Sequence, residues 1–221
     1  AVTAGGIGQL HIRAGQLHVA ESWFTQALEA FGEVGDQRQI GLYRTSLADL
    51  EFERGALEKS RQNADTALRI SRHIGDAIGE AGAILAATRV ERKLGNLVEA
   101  DQRLRAALGK AELGGETDIQ CRILNEIGLI ALEADDLVLA YRAFSDALAV
   151  GELTHLPAAI RARAALAVVC ALQERMDEST EHLALMTEIG KTLPPHIHSY
   201  VLCHTAEAHR LQGHLRRQGT E

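Results

Sequence analysis

The sequence predicts an all-α solenoid, a tandem stack of about eleven antiparallel helices. Three observations predict it. Leu17, Leu57, Leu97 and Leu137 stand 40 residues apart, each followed three positions later by a small residue, Ala20, Ser60, Ala100 or Ala140. Apolar residues on both sides of these positions recur at helical spacing, and Gly-Asp pairs separate one period from the next. Self-similarity at a period of roughly 20 to 50 residues marks stacked copies of one helix pair, because a single pair cannot bury its own apolar face.

The first helix of each repeat carries an apolar residue followed by a small one: Ile7-Gly8, Leu47-Ala48, Ala87-Thr88 and Ile127-Gly128. A small side chain there lets two helices approach closely. A short turn follows, read as Ala14-Gly15-Gln16, Arg54-Gly55-Ala56, Leu94-Gly95-Asn96 and Ala134-Asp135-Asp136. The second helix then runs along a stripe at positions 17, 20, 24, 27 and 28 and their 40-residue equivalents. Between repeats, Gly35-Asp36 and Gly75-Asp76 fit a left-handed glycine cap followed by an aspartate that accepts the first N–H groups of the next helix. The third and fourth junctions read Gly114-Gly115 and Thr154-His155, with Pro157 in a first helical turn.

Past residue 160 the register slips by one, placing Glu174-Arg175-Met176 at the turn, Ser179 at the small position and Leu183 and Met186 on the stripe. Pro194-Pro195 then opens a sixth first helix carrying Leu202, Ala206 and His209, with Gly213-His214-Leu215 as its turn. The repeats are therefore 1–35, 36–75, 76–115, 116–155, 156–193 and an incomplete 194–221, forming one solenoid over 1–221. A chain that starts at Ala1 and stops soon after a turn is expected to be a fragment of a longer polypeptide.

Composition narrows the function. With 46% hydrophobic and 24% charged residues among 221, the chain is long enough to bury most of its unfolded surface. No apolar run reaches the roughly 18 residues of a membrane span, so no membrane contact is expected. Three cysteines, Cys121, Cys170 and Cys203, without a CxxC pair suggest reduced thiols and a cytoplasmic setting. A net charge of -7 disfavours direct nucleic-acid contact by this segment. Four lysines against nineteen arginines suggest a GC-rich bacterial genome.

The helix pairs, with small residues at Gly8, Ala20 and Ala27 and apolar ones at Ile7, Leu17 and Phe24, resemble tetratricopeptide (TPR) repeats. The 40-residue period and the Gly-Asp junctions are similar to the longer-helix variety found in kinesin light chains, spindle-orientation scaffolds and bacterial regulators of the maltose-activator and antibiotic-regulator types. The resemblance implies a right-handed superhelix whose first helices line a concave groove. First-helix residues outside the apolar stripe then face that groove, among them Asp49, Arg89, Arg92, Arg122, Asn125 and Arg161. Arg89, Arg122 and Arg161 would form a ladder for an acidic or carboxylate-bearing segment, and Asn125 can hydrogen-bond a peptide backbone through both donor and acceptor. The competing reading is a solvated face with scattered charge, since exposed ion pairs are worth ~0-1 kcal/mol each. The carboxylate clamp of chaperone-binding TPR proteins has no counterpart, since its places hold Gly5, Gln9, Ser46, Gly82 and Ala86.

Catalytic chemistry is not indicated. His196, His198, His204, His209 and His214 lack the i,i+3 or i,i+4 spacing of a helical metal pair. Gly5-Gly6-Ile7-Gly8 follows no strand, and His11 stands where a dinucleotide loop needs its third glycine. The acidic pairs Asp135-Asp136 and Asp177-Glu178 fall at turns and helix starts, where carboxylates act as caps. No metal, no cofactor and no enzymatic activity are expected. Two functions remain: a scaffold binding a protein or peptide segment, or the ligand- or peptide-sensing module of a larger bacterial transcriptional regulator. The apolar side of the sixth helix is a candidate homodimer contact.

Overall fold

The computed structural model describes residues 16–152 and 156–192, together with His11, Ala206, His209 and Arg210. The described residues form nine α-helices and no strand. These are α1 (Leu17–Val34), α2 (Gln37–Glu53), α3 (Leu57–Ile74), α4 (Ala77–Lys93), α5 (Leu97–Gly114), α6 (Thr117–Glu133), α7 (Leu137–Glu152), α8 (Leu156–Leu172) and α9 (Met176–Thr192). The other two of the eleven expected helices, carrying Ile7-Gly8 and following Pro194-Pro195, lie outside the described residues. So do Gly5-Gly6, Thr154-His155, Cys203, four of the five clustered histidines and the candidate dimer contact.

The chain divides into two compact units, Ala1–Glu116 with α1 to α5 and Thr117–Glu221 with α6 to α9. The division falls one residue past the expected end of the third repeat. Within each unit every helix packs on its chain neighbours, and the first helices of successive repeats also touch, α2 on α4 and α6 on α8. Turns this short between helices of 16 to 18 residues force each pair to run antiparallel.

Turn chemistry follows the repeat. Within repeats the chain reverses through a residue in the left-handed region: Gly55 at φ 77°, Gly95 at 84°, Asp135 at 60° and Glu174 at 61°. Glycine adopts this conformation without penalty, whereas an L side chain there costs roughly 1–2 kcal/mol. Glu174 lies 39 residues after Asp135, so the backbone itself carries the one-residue slip of the fifth repeat. Between repeats, Gly35, Gly75 and Gly115 hold φ of 75°, 70° and 68°. At the first junction the Gly35 and Asp36 N–H groups donate to the carbonyls of Gly32 and Phe31 at 3.2 and 3.1 Å, which satisfies the helix end. The aspartates then cap the next helix: Asp36 accepts from the Gln39 N–H and Asp76 from the Gly79 N–H, both at 3.1 Å. Asp136 caps α7 by accepting from the Leu139 N–H at 2.9 Å, so one of the acidic pairs is a capping device.

The stripe on the second helices is the core. Ala20, Ser60, Ala100, Ala140 and Ser179 are fully buried, as are Phe24, Ala64, Leu104 and Phe144, with Leu183 at 1% exposure. Ser60 and Ser179 each donate to a first-helix carbonyl, Ala48 at 2.8 Å and Ala167 at 2.7 Å, so a buried hydroxyl is satisfied where the helices come closest. On the facing helices Ala48, Thr88 and Gly128 are buried. A Cβ on Gly128 would lie 2.6 Å from Cε1 of Phe144, so glycine is required opposite that ring. In the N-terminal unit, Tyr43 stacks on Phe31 at 5.5 Å and tilts against Phe24 at 6.2 Å, with Trp23 packed partly buried beside them.

The leucines that reveal the period are not the deepest residues. Leu17, Leu57, Leu97 and Leu137 are half-buried, whereas Leu104, one stripe position on, has no exposed surface. Each marker leucine begins its helix, where the neighbouring turn leaves it partly open to solvent.

Candidate functional site

In the N-terminal unit the face shared by α2 and α4 is built around Arg89. Its guanidinium donates to Asp49 Oδ1 at 2.8 Å and to Glu53 Oε1 at 2.9 Å, and its Cζ lies 4.1 Å from the centre of the Phe52 ring. The Arg89 and Asp49 side chains retain only 13% and 15% of their exposure, so this pair is better shielded than an ordinary surface ion pair. Asp49 and Arg89 stand one 40-residue period apart, and adjacent first helices therefore bring them side by side. That pairing was available in the sequence from opposite charges in one register, and it identifies Arg89 as a bridge between two repeats. Two turns earlier on α2, Leu42 is 55% exposed, an apolar residue without a place in the core. Thr45 donates to the Gly41 carbonyl at 3.2 Å, and its methyl lies 4.0 Å from where a Cβ on Gly82 would stand.

Arg92 was expected on the groove and is buried, with 8% exposure. It occupies the register of Phe52, one period earlier. Its guanidinium, expected to face outward, is therefore largely enclosed.

In the C-terminal unit the corresponding face belongs to α6 and α8. Arg122 is half-buried, with its Nη1 4.0 Å from Asp118 Oδ2 one turn earlier on α6, and Arg161 is exposed on α8. Allowing for the slip, these two share a register. Arg89 does not share it, since its 40-residue mates are Asp49 and Leu129, so the expected three-rung arginine ladder reduces to a pair, Arg122 and Arg161. Asn125 also departs from expectation. It is 2% exposed, and its Nδ2 donates to the carbonyls of Cys121 at 3.0 Å and of Ala158 on α8 at 3.3 Å. Its amide ties two first helices together instead of facing outward, and its Oδ1 is buried without a hydrogen-bond partner.

Cys121, one turn before Asn125, is fully buried, and its Sγ donates to the Ala147 carbonyl at 3.2 Å. Burial pushes this thiol up to about 11, with Asp118 adding to the effect and Arg161 opposing it. Cys170 is buried as well and its thiol is raised, again chiefly by burial. A thiol held protonated and enclosed is a poor nucleophile. Among the described residues no group of three or more His, Cys, Asp or Glu is placed to hold a metal ion. No described helix is long and apolar enough to cross a membrane.

No protein-family model matches the sequence, and no curated protein sequence matches it either. Solved structures do. A Rap protein complexed with competence and sporulation factor superposes with a TM-score of 0.75 at 14% identity, over 97% of this chain and 72% of that one. The Rap conjugation gene regulator of plasmid pLS20, in complex with the Phr* peptide, gives 0.74 at 18% identity, over 84% of this chain and 52% of the regulator. A signal transduction ATPase with a tetratricopeptide repeat sensor from Pyrococcus horikoshii gives 0.63 at 15% identity. This chain matches it over 98% of its own length but spans only 37% of that protein. At such identities the likeness concerns the backbone alone. With the 40-residue helix pairs, their glycine turns and their small-residue contacts, it establishes that the chain has a TPR-type helical-repeat fold.

Proposed function

We propose that this chain is a non-catalytic TPR module that binds a peptide or protein segment in the cytoplasm, on the faces presented by its first helices. The observation that carries the reading is the side-by-side packing of first helices, α2 with α4 and α6 with α8, which brings residues of one register together on a common face. On the α2–α4 face these are Asp49 and Arg89, with exposed Leu42 two turns earlier on α2, and on the α6–α8 face Arg122 and Arg161. An apolar anchor two turns from oriented charges on one face suits an extended or helical segment, in which a few buried side chains supply affinity and charge supplies register. One of the similar structures is a complex with a peptide and another a complex with competence and sporulation factor, which supports the same reading.

The distribution of charge refines the partner. Arg89 keeps only 13% of its side-chain exposure, so an acidic ligand group has little access to it. The Arg122–Arg161 pair is the better place for a ligand carboxylate, because both side chains retain solvent contact. A second reading, a sensor module within a larger bacterial transcriptional regulator, is favoured by the regulator and sensor likenesses. Both of those proteins are much longer than this chain.

The test is binding of the whole chain to a peptide array, followed by titration of the captured peptides. The joint substitution Arg122→Glu and Arg161→Glu is expected to weaken acidic ligands at least tenfold, and Leu42→Glu to weaken ligands seated on the α2–α4 face. Saturable binding that ignores all three substitutions would move the site off the first helices. For the second reading, a helix-turn-helix or P-loop flanking this segment in its parent polypeptide is the expected finding.

A further inference from the structure

The seam between α8 and α9 holds an imidazole with an unusual neighbour. His182 on α9 is half-buried, and its Nδ1 is enclosed without a hydrogen-bond partner. The residue of the same register in the second repeat is Asn63, whose Oδ1 accepts a hydrogen bond from Nη1 of Arg44 at 3.1 Å. Arg44 and Asn63 are 19 positions apart, and so are Arg163 and His182. The fifth repeat therefore sets the same arginine on the first helix against a histidine on the second. Unlike the Asn63 oxygen, the enclosed Nδ1 takes no hydrogen bond, so the ring fits this place as an uncharged group, and protonating it would set a second cation beside Arg163. In the fourth repeat the same two places hold Leu124 and Ala143, so the fold tolerates an apolar pair here and titration is peculiar to the fifth repeat.

We propose that His182 makes the docking of α9 on α8 responsive to mild acid: the neutral ring closes the seam and protonation loosens it, opening the cluster of Ile160, Ala164 and Met186 beneath. Burial, foremost, lowers the affinity of this ring for a proton, and Arg163 on α8 acts in the same direction. Glu181 and Glu178 on α9 oppose it, and Arg175 in the turn adds to it. A base whose folded-state pKa is depressed binds fewer protons folded than unfolded. The contribution is therefore complete above the ordinary histidine value of about 6.5 and is lost as pH falls through the depressed value. The loss is about tenfold in the opening equilibrium for every pKa unit of depression.

Amide exchange along α9 in the whole chain, corrected for intrinsic rates, tests this at pH 7.5 and pH 5.0. Protection is expected to fall more in the wild type than in His182→Asn, which copies Asn63 and cannot titrate. Equal pH responses in the two proteins would overturn the proposal. Should His182→Asn fail to fold, the His182 ring titration followed by NMR decides. A midpoint below 6.5 that rises in Arg163→Gln is expected, and a midpoint at or above the ordinary value, or one indifferent to Arg163, overturns the idea.

Discussion

Replacing Gly128 by alanine tests how the helix pairs fit. The added Cβ would lie 2.6, 2.7 and 2.8 Å from Cε1, Cζ and Cδ1 of Phe144. Carbon atoms rest at about 3.5–4.0 Å, so the ring has to retreat by about 1 Å. Phe144 has no exposed surface and packs with Ala131, Ala140, Leu166 and Val169, so a rigid ring cannot retreat without moving α7 or α8. Overpacking of this kind costs about 1–3 kcal/mol, against which alanine in a helix interior returns about 1 kcal/mol relative to glycine. The single substitution is therefore modestly destabilising, and its diagnostic value lies in coupling. In the third repeat the equivalent places hold Thr88 and Leu104, both fully buried, a larger residue opposite a smaller one. Phe144→Leu should accordingly relieve Gly128→Ala. Urea denaturation of the two single variants and the double variant should give a favourable coupling of at least about 1 kcal/mol. Additivity within about 0.5 kcal/mol would show that the glycine is not there to admit the ring.

Two further expectations are independent of that contact. Glu174→Gly should raise stability by about 1 kcal/mol, because an L side chain at φ 61° is relieved where glycine already serves at Gly55 and Gly95, with the denaturation midpoint as readout. A decrease would mean that the Glu174 side chain contributes more than its backbone costs. Arg89→Ala should cost about 1–2 kcal/mol, beyond the roughly 0.5 kcal/mol of an ordinary surface change, because it leaves Asp49 and Glu53 facing each other and uncovers Phe52. A double-mutant cycle with Asp49→Ala should show positive coupling between the two residues, and the absence of coupling would return Arg89 to the solvated face.

The two kinds of outcome at the site have different physical origins. Arg161 was legible as an exposed charge because solvent accepts any polar residue outside the stripe, and periodicity alone identifies those positions. Asn125 and Arg92 were not legible, since the same periodicity places both outside the stripe and both are buried. What encloses Asn125 is the first turn of α8, 33 residues away, whose Ala158 carbonyl accepts a hydrogen bond from its amide. Arg89 is intermediate: its charge was visible, and its partner stood one period earlier at Asp49, but pairing required knowing that α2 and α4 lie side by side. The marker leucines misled in the opposite sense. A residue can recur faithfully because it starts a helix, without being its most buried member.

By itself the sequence determined the helix pairs, their period, the glycine and aspartate punctuation, the small residues at each crossing and the slip in the fifth repeat. These are local matters: each follows from the backbone freedom of one residue, the reach of one capping side chain or the spacing of one apolar stripe. Only the tertiary structure decided which polar residues face water and which bridge neighbouring repeats, where two left-handed turns are made without glycine, and that a histidine stands against an arginine in the last described seam. Those outcomes depend on which atoms of distant repeats meet across a packed interface, and a one-dimensional period sets the register of such meetings without fixing their partners.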